Sequence, residues 1–110
     1  MDTPFEVINT QNIYDVTFTI NVPNFCPLGK ADYTNEFEVM ISVGNIMADF
    51  CEIEAEIKQR LSDKDLIIED AMFELGKIVK KYYKDAKSIH VKSTVKDAAH
   101  FKVVLKAVYR

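Results

Sequence analysis

Residues 14–22, Tyr14-Asp15-Val16-Thr17-Phe18-Thr19-Ile20-Asn21-Val22, alternate apolar and polar side chains without a break, the period of a strand with one buried face. Pro23 ends the pattern, and a stretch rich in turn residues, Asn24 to Asn35 with Pro27 and Gly29 inside it, separates it from a second alternation at Phe37, Val39, Ile41 and Val43. Two such runs joined by a turn predict an antiparallel hairpin, with the joining loop carrying Cys26 and Asp32.

Downstream the period changes to that of a helix. Asp49, with Glu52 three residues on, reads as a helix cap, and Phe50, Ile53, Ile57 and Leu61 then repeat at helical spacing. Ser62-Asp63-Lys64-Asp65 interrupts. A second amphipathic helix sets Ile67, Ala71, Leu75, Ile78, Val79 and Tyr82 on one face and Lys77, Lys80, Lys81 and Lys84 on another, with Gly76 as an unfavourable insertion. Period two returns at Ile89, Val91 and Val95, with His90, Lys92, Thr94 and Lys96 on the opposite side. Asp97-Ala98-Ala99 reads as a turn, and Phe101, Val103, Leu105, Ala107 and Tyr109 form the last strand. The order ββααββ predicts one α+β domain over residues 1–110: a four-stranded antiparallel sheet with both helices on one face. The other face, rich in Thr, Lys and His, either meets water or lines an oligomeric barrel that closes the sheet edges.

Composition limits the function classes. A 110-residue chain with 48% hydrophobic and 28% charged residues suits one modest globular core. No apolar run is long enough for a membrane span, the first residues lack the basic start of a signal peptide, and two cysteines without CxxC spacing predict reduced thiols, so the expected setting is cytoplasmic. The formal charge of −3 conceals an asymmetry: four bases and fifteen acids precede residue 76, a charge of −11, whereas ten bases and two acids follow residue 75, a charge of +8. The basic segment is either a solvated face or a surface for a polyanion.

Few residues have chemistry to offer. Cys26 in a turn is the best nucleophile candidate, with Asp32 near enough in sequence to supply a proton, although a half-buried structural thiol is the plain alternative. Cys51 beside Phe50 and Ile53 reads as packing. Glu69 and Asp70 open the second helix, where a carboxylate either complements the helix dipole or accepts paired hydrogen bonds from a guanine-like edge. His90 and His100 have no third ligand nearby, so no metal is expected.

The Cys26-Pro27-x-Gly29-x-x-Asp32 loop, the Glu69-Asp70 helix start and the ββααββ order together resemble the tunnelling fold, and within it the QueF family of 7-deazaguanine enzymes. The resemblance implies that Cys26 adds to the nitrile of 7-cyano-7-deazaguanine (preQ0) as a thioimide, that Asp32 moves protons, and that Glu69, beside Asp70, holds the base. The family's spacing from Cys to Asp is one residue longer, so matching Asp32 takes a one-residue deletion. A His precedes the family's Glu-Asp, where this chain has Ile68. The family's NADPH-dependent reductases carry Glu-Ser-Lys-Ser-Leu-Lys-Leu-Tyr before the first helix; here Met47-Ala48-Asp49-Phe50-Cys51-Glu52-Ile53-Glu54 stands instead. The chain therefore looks most like the QueF-like archaeosine synthases, amidinotransferases that use ammonia on preQ0 within tRNA without a redox cofactor. That implies a homo-oligomer, a pentameric ring or two stacked rings, and a tRNA surface at Lys77, Lys80, Lys81 and Lys84. The alternatives are a preQ0 nitrile reductase and a non-catalytic purine- or pterin-binding protein.

Overall fold

The computed structural model describes residues 5–11, 13–44, 48–96 and 103–109. Its elements are β1 (Glu6–Thr10), β2 (Ile13–Cys26), β3 (Ala31–Val43), α1 (Phe50–Leu61), β4 (Lys64–Asp65), α2 (Ile68–Tyr82), β5 (Ala86–Lys96) and β6 (Val104–Tyr109). The sheet runs β1-β2-β3-β5-β6, antiparallel throughout, and two-residue β4 joins β2 in parallel. The predicted four strands are β2, β3, β5 and β6; β1 and β4 are additions.

Alternation fixes which face is buried. Val16, Phe18, Ile20 and Val22 of β2 face inward with Phe37, Val39, Ile41 and Val43 of β3 and Ile89 and Val91 of β5. Ile53, Ile57 and Leu61 of α1 and Ala71, Met72, Leu75, Ile78 and Val79 of α2 join them in one core, so both helices cover the same side. Gly76 is what lets α2 lie close to β6. A Cβ there would stand 2.7 Å from the Tyr109 ring, whose hydroxyl donates to Met72 O at 3.4 Å. The helical cost of glycine, about 1 kcal/mol against alanine, is offset by that ring's burial.

Several expectations change. The stretch Asn24 to Asn35 is mostly strand: β2 runs on to Cys26 and β3 begins at Ala31, leaving only Pro27 to Lys30 as the turn. At about 3.3 Å per residue, fourteen residues of β2 span about 46 Å, close to the molecule's 47 Å length. Pro23 is tolerated because β1 covers β2 only as far as Thr17, so at Pro23 the strand is an edge; its carbonyl accepts Asp63 N–H at 2.8 Å. Cys51 is exposed rather than packed, since the inward face of α1 begins at Ile53. Phe50 is half exposed and stacks on Phe5, which also stacks on Phe18. Tyr83, not Tyr82, fills the core. Asp49 does cap α1, accepting Cys51 N–H at 2.8 Å. The Asp97-Ala98-Ala99 turn, His100 and Phe101 lie outside the described residues.

Candidate active site

Cys26 ends β2 half-buried, and Lys30, with φ 53°, closes the turn by donating its N–H to Cys26 O at 2.7 Å. The Gly29 N–H points at Cys26 Sγ, 3.3 Å away, which fixes the thiol at the mouth of the turn. The hairpin register pairs Cys26 with Ala31, Phe25 with Asp32 and Asn24 with Tyr33. Paired residues share a face and neighbours alternate, so Cys26 lies on the helix-covered face with Asn24 and Tyr33. Asp32 belongs to the other face. It is exposed there and lines an open groove of about 420 Å³ that also includes Pro23, Phe25, Thr34 and Asp63. Within one chain, Cys26 and Asp32 are therefore not brought together.

What lies beside Cys26 is the connection that leads into α2. Three strand residues beside it grip the connection between the helices. Asn24 Nδ2 donates to Leu61 O at 2.6 Å and Lys64 O at 3.2 Å, the Leu66 N–H donates to Phe25 O at 3.0 Å, and the Tyr33 hydroxyl donates to Leu66 O. Behind Asn24 the bonds continue inward: Asn35 Nδ2 donates to Asn24 Oδ1 at 3.0 Å, and Ser93 Oγ donates to Asn35 Oδ1 at 2.9 Å. All three of these polar residues are buried, and each has its partner, as burial of polar groups requires. They occupy inward positions where the alternation would otherwise place hydrophobic residues. Asn24, Tyr33, Asn35 and Ser93 were not singled out from sequence; the signal was a polar residue falling in phase with a buried stripe.

Tyr33 stands among the reactive groups. Burial raises its pKa; the Asn35 side chain, hydrogen-bonded to it, lowers it; and the negative charges of Cys26, Glu69 and Asp70 raise it further. The thiol at the end of β2 and both carboxylates at the start of α2 therefore lie within electrostatic reach of one phenol. Glu69 and Asp70 are exposed in the first turn of α2, whose N-cap, Ile67, offers no side-chain bond. Their charge complements the helix's positive end.

The predicted basic stripe lies elsewhere. Lys77 is eight residues beyond Glu69, about 12 Å along the helix. It pairs with Glu74 at 3.1 Å, and Lys81 pairs with Glu56 at 2.6 Å, while Lys80 also has a partner and Lys84 is exposed. Lys92 and Lys106 pair across β5 and β6 on the uncovered sheet face, opposite the helices, so the +8 segment divides between two surfaces. A groove of about 700 Å³ along α1 and α2 includes Glu52, Glu56, Arg60, Lys64 and Lys81 but neither Cys26 nor Glu69. No metal-binding group of three or more His, Cys, Asp or Glu occurs among the described residues, and none of their helices is long and apolar enough to cross a membrane.

No family model and no curated protein matches the sequence. The crystal structure of the archaeosine synthase QueF-Like in the apo form does match, with a TM-score of 0.70 over 91% of this chain and 95% of that one, at 15% identity. The chain has the tunnelling fold. Within it β2, β3, α1, α2, β5 and β6 follow the ββααββ order expected from the sequence.

Proposed function

We propose that the protein is a QueF-like amidinotransferase that converts the nitrile of preQ0, carried within tRNA, to the formamidine of archaeosine with ammonia as the nitrogen donor. The observation that carries this reading is the end of the β2–β3 hairpin. There the half-buried Cys26 thiol ends β2, and Phe25 and Tyr33 beside it bind Leu66, three residues ahead of Glu69, in a chain that matches an archaeosine synthase along nearly its whole length.

In this reading Glu69 accepts hydrogen bonds from the N–H and amino edge of the base, with Asp70 beside it, and so directs the nitrile toward Cys26. The Cys26 thiolate forms a C–S bond while one C–N π bond opens, and the nitrogen takes a proton, giving a thioimide. Ammonia then forms a C–N bond to the same carbon, the C–S bond breaks, Cys26 leaves as thiolate and one proton returns to solvent. The proton gained in the first half is released in the second, and the net change is addition of ammonia across the nitrile with no electrons transferred, so no redox cofactor enters.

Asp32 faces away from Cys26 of its own chain, so a proton-moving role for it would act across a subunit boundary. Ring formation, pentameric or as two stacked rings, supplies such boundaries, and β1 and β6 are the edges it would use. Lys77, Lys80, Lys81 and Lys84 are assigned to tRNA phosphates, and a reducing cytoplasm suits the free thiols.

Intact-protein mass spectrometry tests the reading. Wild type incubated with preQ0 should gain one preQ0 mass, lost on addition of ammonium, and Cys26→Ala should gain none; preQ0-containing tRNA then replaces the free base. A wild type with neither adduct nor affinity for the base removes the proposal. Binding that Cys26→Ala leaves unchanged would instead mark a non-catalytic base-binding protein, and preQ0-dependent NADPH oxidation would mark a reductase.

A further inference from the structure

We propose that Tyr33 is the positioning residue of this site: its hydroxyl holds the start of α2, and with it Glu69, at working distance from Cys26. The inference rests on the functional reading above and adds a residue to it.

The geometry is specific. Tyr33 and Cys26 lie on the same face of adjacent strands, one pair apart in register, because Asn24 opposes Tyr33 and Cys26 opposes Ala31. Such diagonal neighbours sit about 7–8 Å apart at the backbone, within reach of an aromatic side chain. From there the Tyr33 hydroxyl donates to Leu66 O, and the same Leu66 donates its N–H to Phe25 O, the residue before Cys26. Leu66 is thus held on both sides by residues flanking the nucleophile, and Glu69 follows three residues later, in the first turn of α2. No side chain caps that turn, so its direction is set by what grips Leu66 rather than by a residue at the N-cap. Asp32, on the opposite face, has no part in this grip.

The consequence is a division of labour: Glu69 binds the base, Cys26 attacks it, and Tyr33 fixes the separation between them. A displacement of about 1 Å in such an arrangement costs about 100-fold in rate without removing any reacting group.

The test follows adduct formation by mass spectrometry over a range of preQ0 concentrations in a Cys51→Ser background, which removes the second, exposed thiol. Tyr33→Phe should lower the maximal rate of adduct formation by about 10- to 100-fold. The half-saturating preQ0 concentration, which reads Glu69's hold on the base, should stay near wild type, as should alkylation of Cys26 by iodoacetamide. Lys58→Gln, on the exposed surface of α1 and outside the site, should keep the wild-type adduct rate with free preQ0. A merely structural loss would lower the amplitude in proportion to the folded fraction and leave the rate of the remainder unchanged.

Hydrogen exchange supplies a readout that needs no substrate. Tyr33→Phe should speed exchange at the first-turn amides of α2 while amides of β3 and β5 keep their protection. A Tyr33→Phe protein with the wild-type maximal rate, or with uniform exchange changes, overturns the inference, as does a Lys58→Gln protein that loses as much rate as Tyr33→Phe. A wild type that forms no adduct strikes the functional reading instead, and exchange at α2 then still decides whether Tyr33 holds the helix start.

Discussion

The two ends of α2 are fastened to the sheet by different means. At its start the preceding connection is held by directional bonds: Asn24 from β2 reaches Leu61 O and Lys64 O, and Tyr33 from β3 reaches Leu66 O. At its end the fastening is apolar. Tyr83 is 1% exposed and its hydroxyl has no hydrogen-bond partner among the described groups. Apolar packing stabilises an end without fixing it to a fraction of an ångström, whereas hydrogen bonds constrain distance and angle together. The directional end is the one that carries Cys26, Glu69 and Asp70.

The largest effect should come from breaking the directional end at its hub. Asn24→Ala removes the donor to two carbonyls and the acceptor for Asn35, leaving buried polar groups without partners, a loss of about 3 kcal/mol. Urea unfolding should show a lowered midpoint at unchanged slope, and preQ0 adduct formation should fall further than the folded fraction does. A loss below about 1 kcal/mol would mean that water replaces these bonds cheaply, and the contrast between the ends would go with it.

How far this was legible in sequence follows from which interactions are local. The alternation of Val16 to Val22 and of Phe37 to Val43 reports burial on one face of a sheet, and it predicted β2 and β3 correctly in type. It stopped short at Pro23 because Pro23, Asn24, Pro27 and Asn35 are turn formers by local preference. Only the distant carbonyls of Leu61 and Lys64, and Ser93 on β5, make strand the better state for Asn24 and Asn35. β1 escaped notice since Glu6 to Thr10 has no buried residue, and its pairing depends on the free edge of β2. Tyr82 and Tyr83 exchanged places because Tyr83 is the C-cap, with φ −120° and ψ 65°, where helical phase no longer applies. The thiol and the two carboxylates of the candidate site were visible as residue types. The face of Asp32 was not, since it depends on a turn being four residues rather than a longer loop.

A smaller effect of opposite sign should mark the apolar end. Burial pushes the Tyr83 hydroxyl up to about 12, and that group is buried without a partner. Tyr83→Phe removes the stranded hydroxyl while keeping the ring, so stability should rise by about 1 kcal/mol, with a melting temperature higher by about 5 °C. Calorimetry decides it. A destabilised Tyr83→Phe protein would reveal a bond at this end and erase the asymmetry.

The smallest effect lies on the exposed side of the same end, where Glu56 joins α1 to α2. Its carboxylate accepts from Lys81 at 2.6 and 2.7 Å and from Tyr82 at 2.7 Å, with Arg60 at 3.5 Å. The Lys81 bond first, then the Tyr82 bond, hold its pKa below the ordinary 4.5. A carboxylate with a depressed folded pKa contributes stability that is fully present above the unfolded value and is lost as pH falls through the folded one. Lys81→Met should therefore be less stable than wild type at neutral pH by a fraction of a kcal/mol, as befits a solvent-exposed pair, and added salt should shrink the gap. The two unfolding curves should converge as the medium is taken below 4.5 and Glu56 gains its proton in both proteins. A gap that persists in acid would mean that Lys81 stabilises this end through its methylene stem over the Tyr82 ring, 5.2 Å from its ammonium, and the end would be apolar on its exposed side as well.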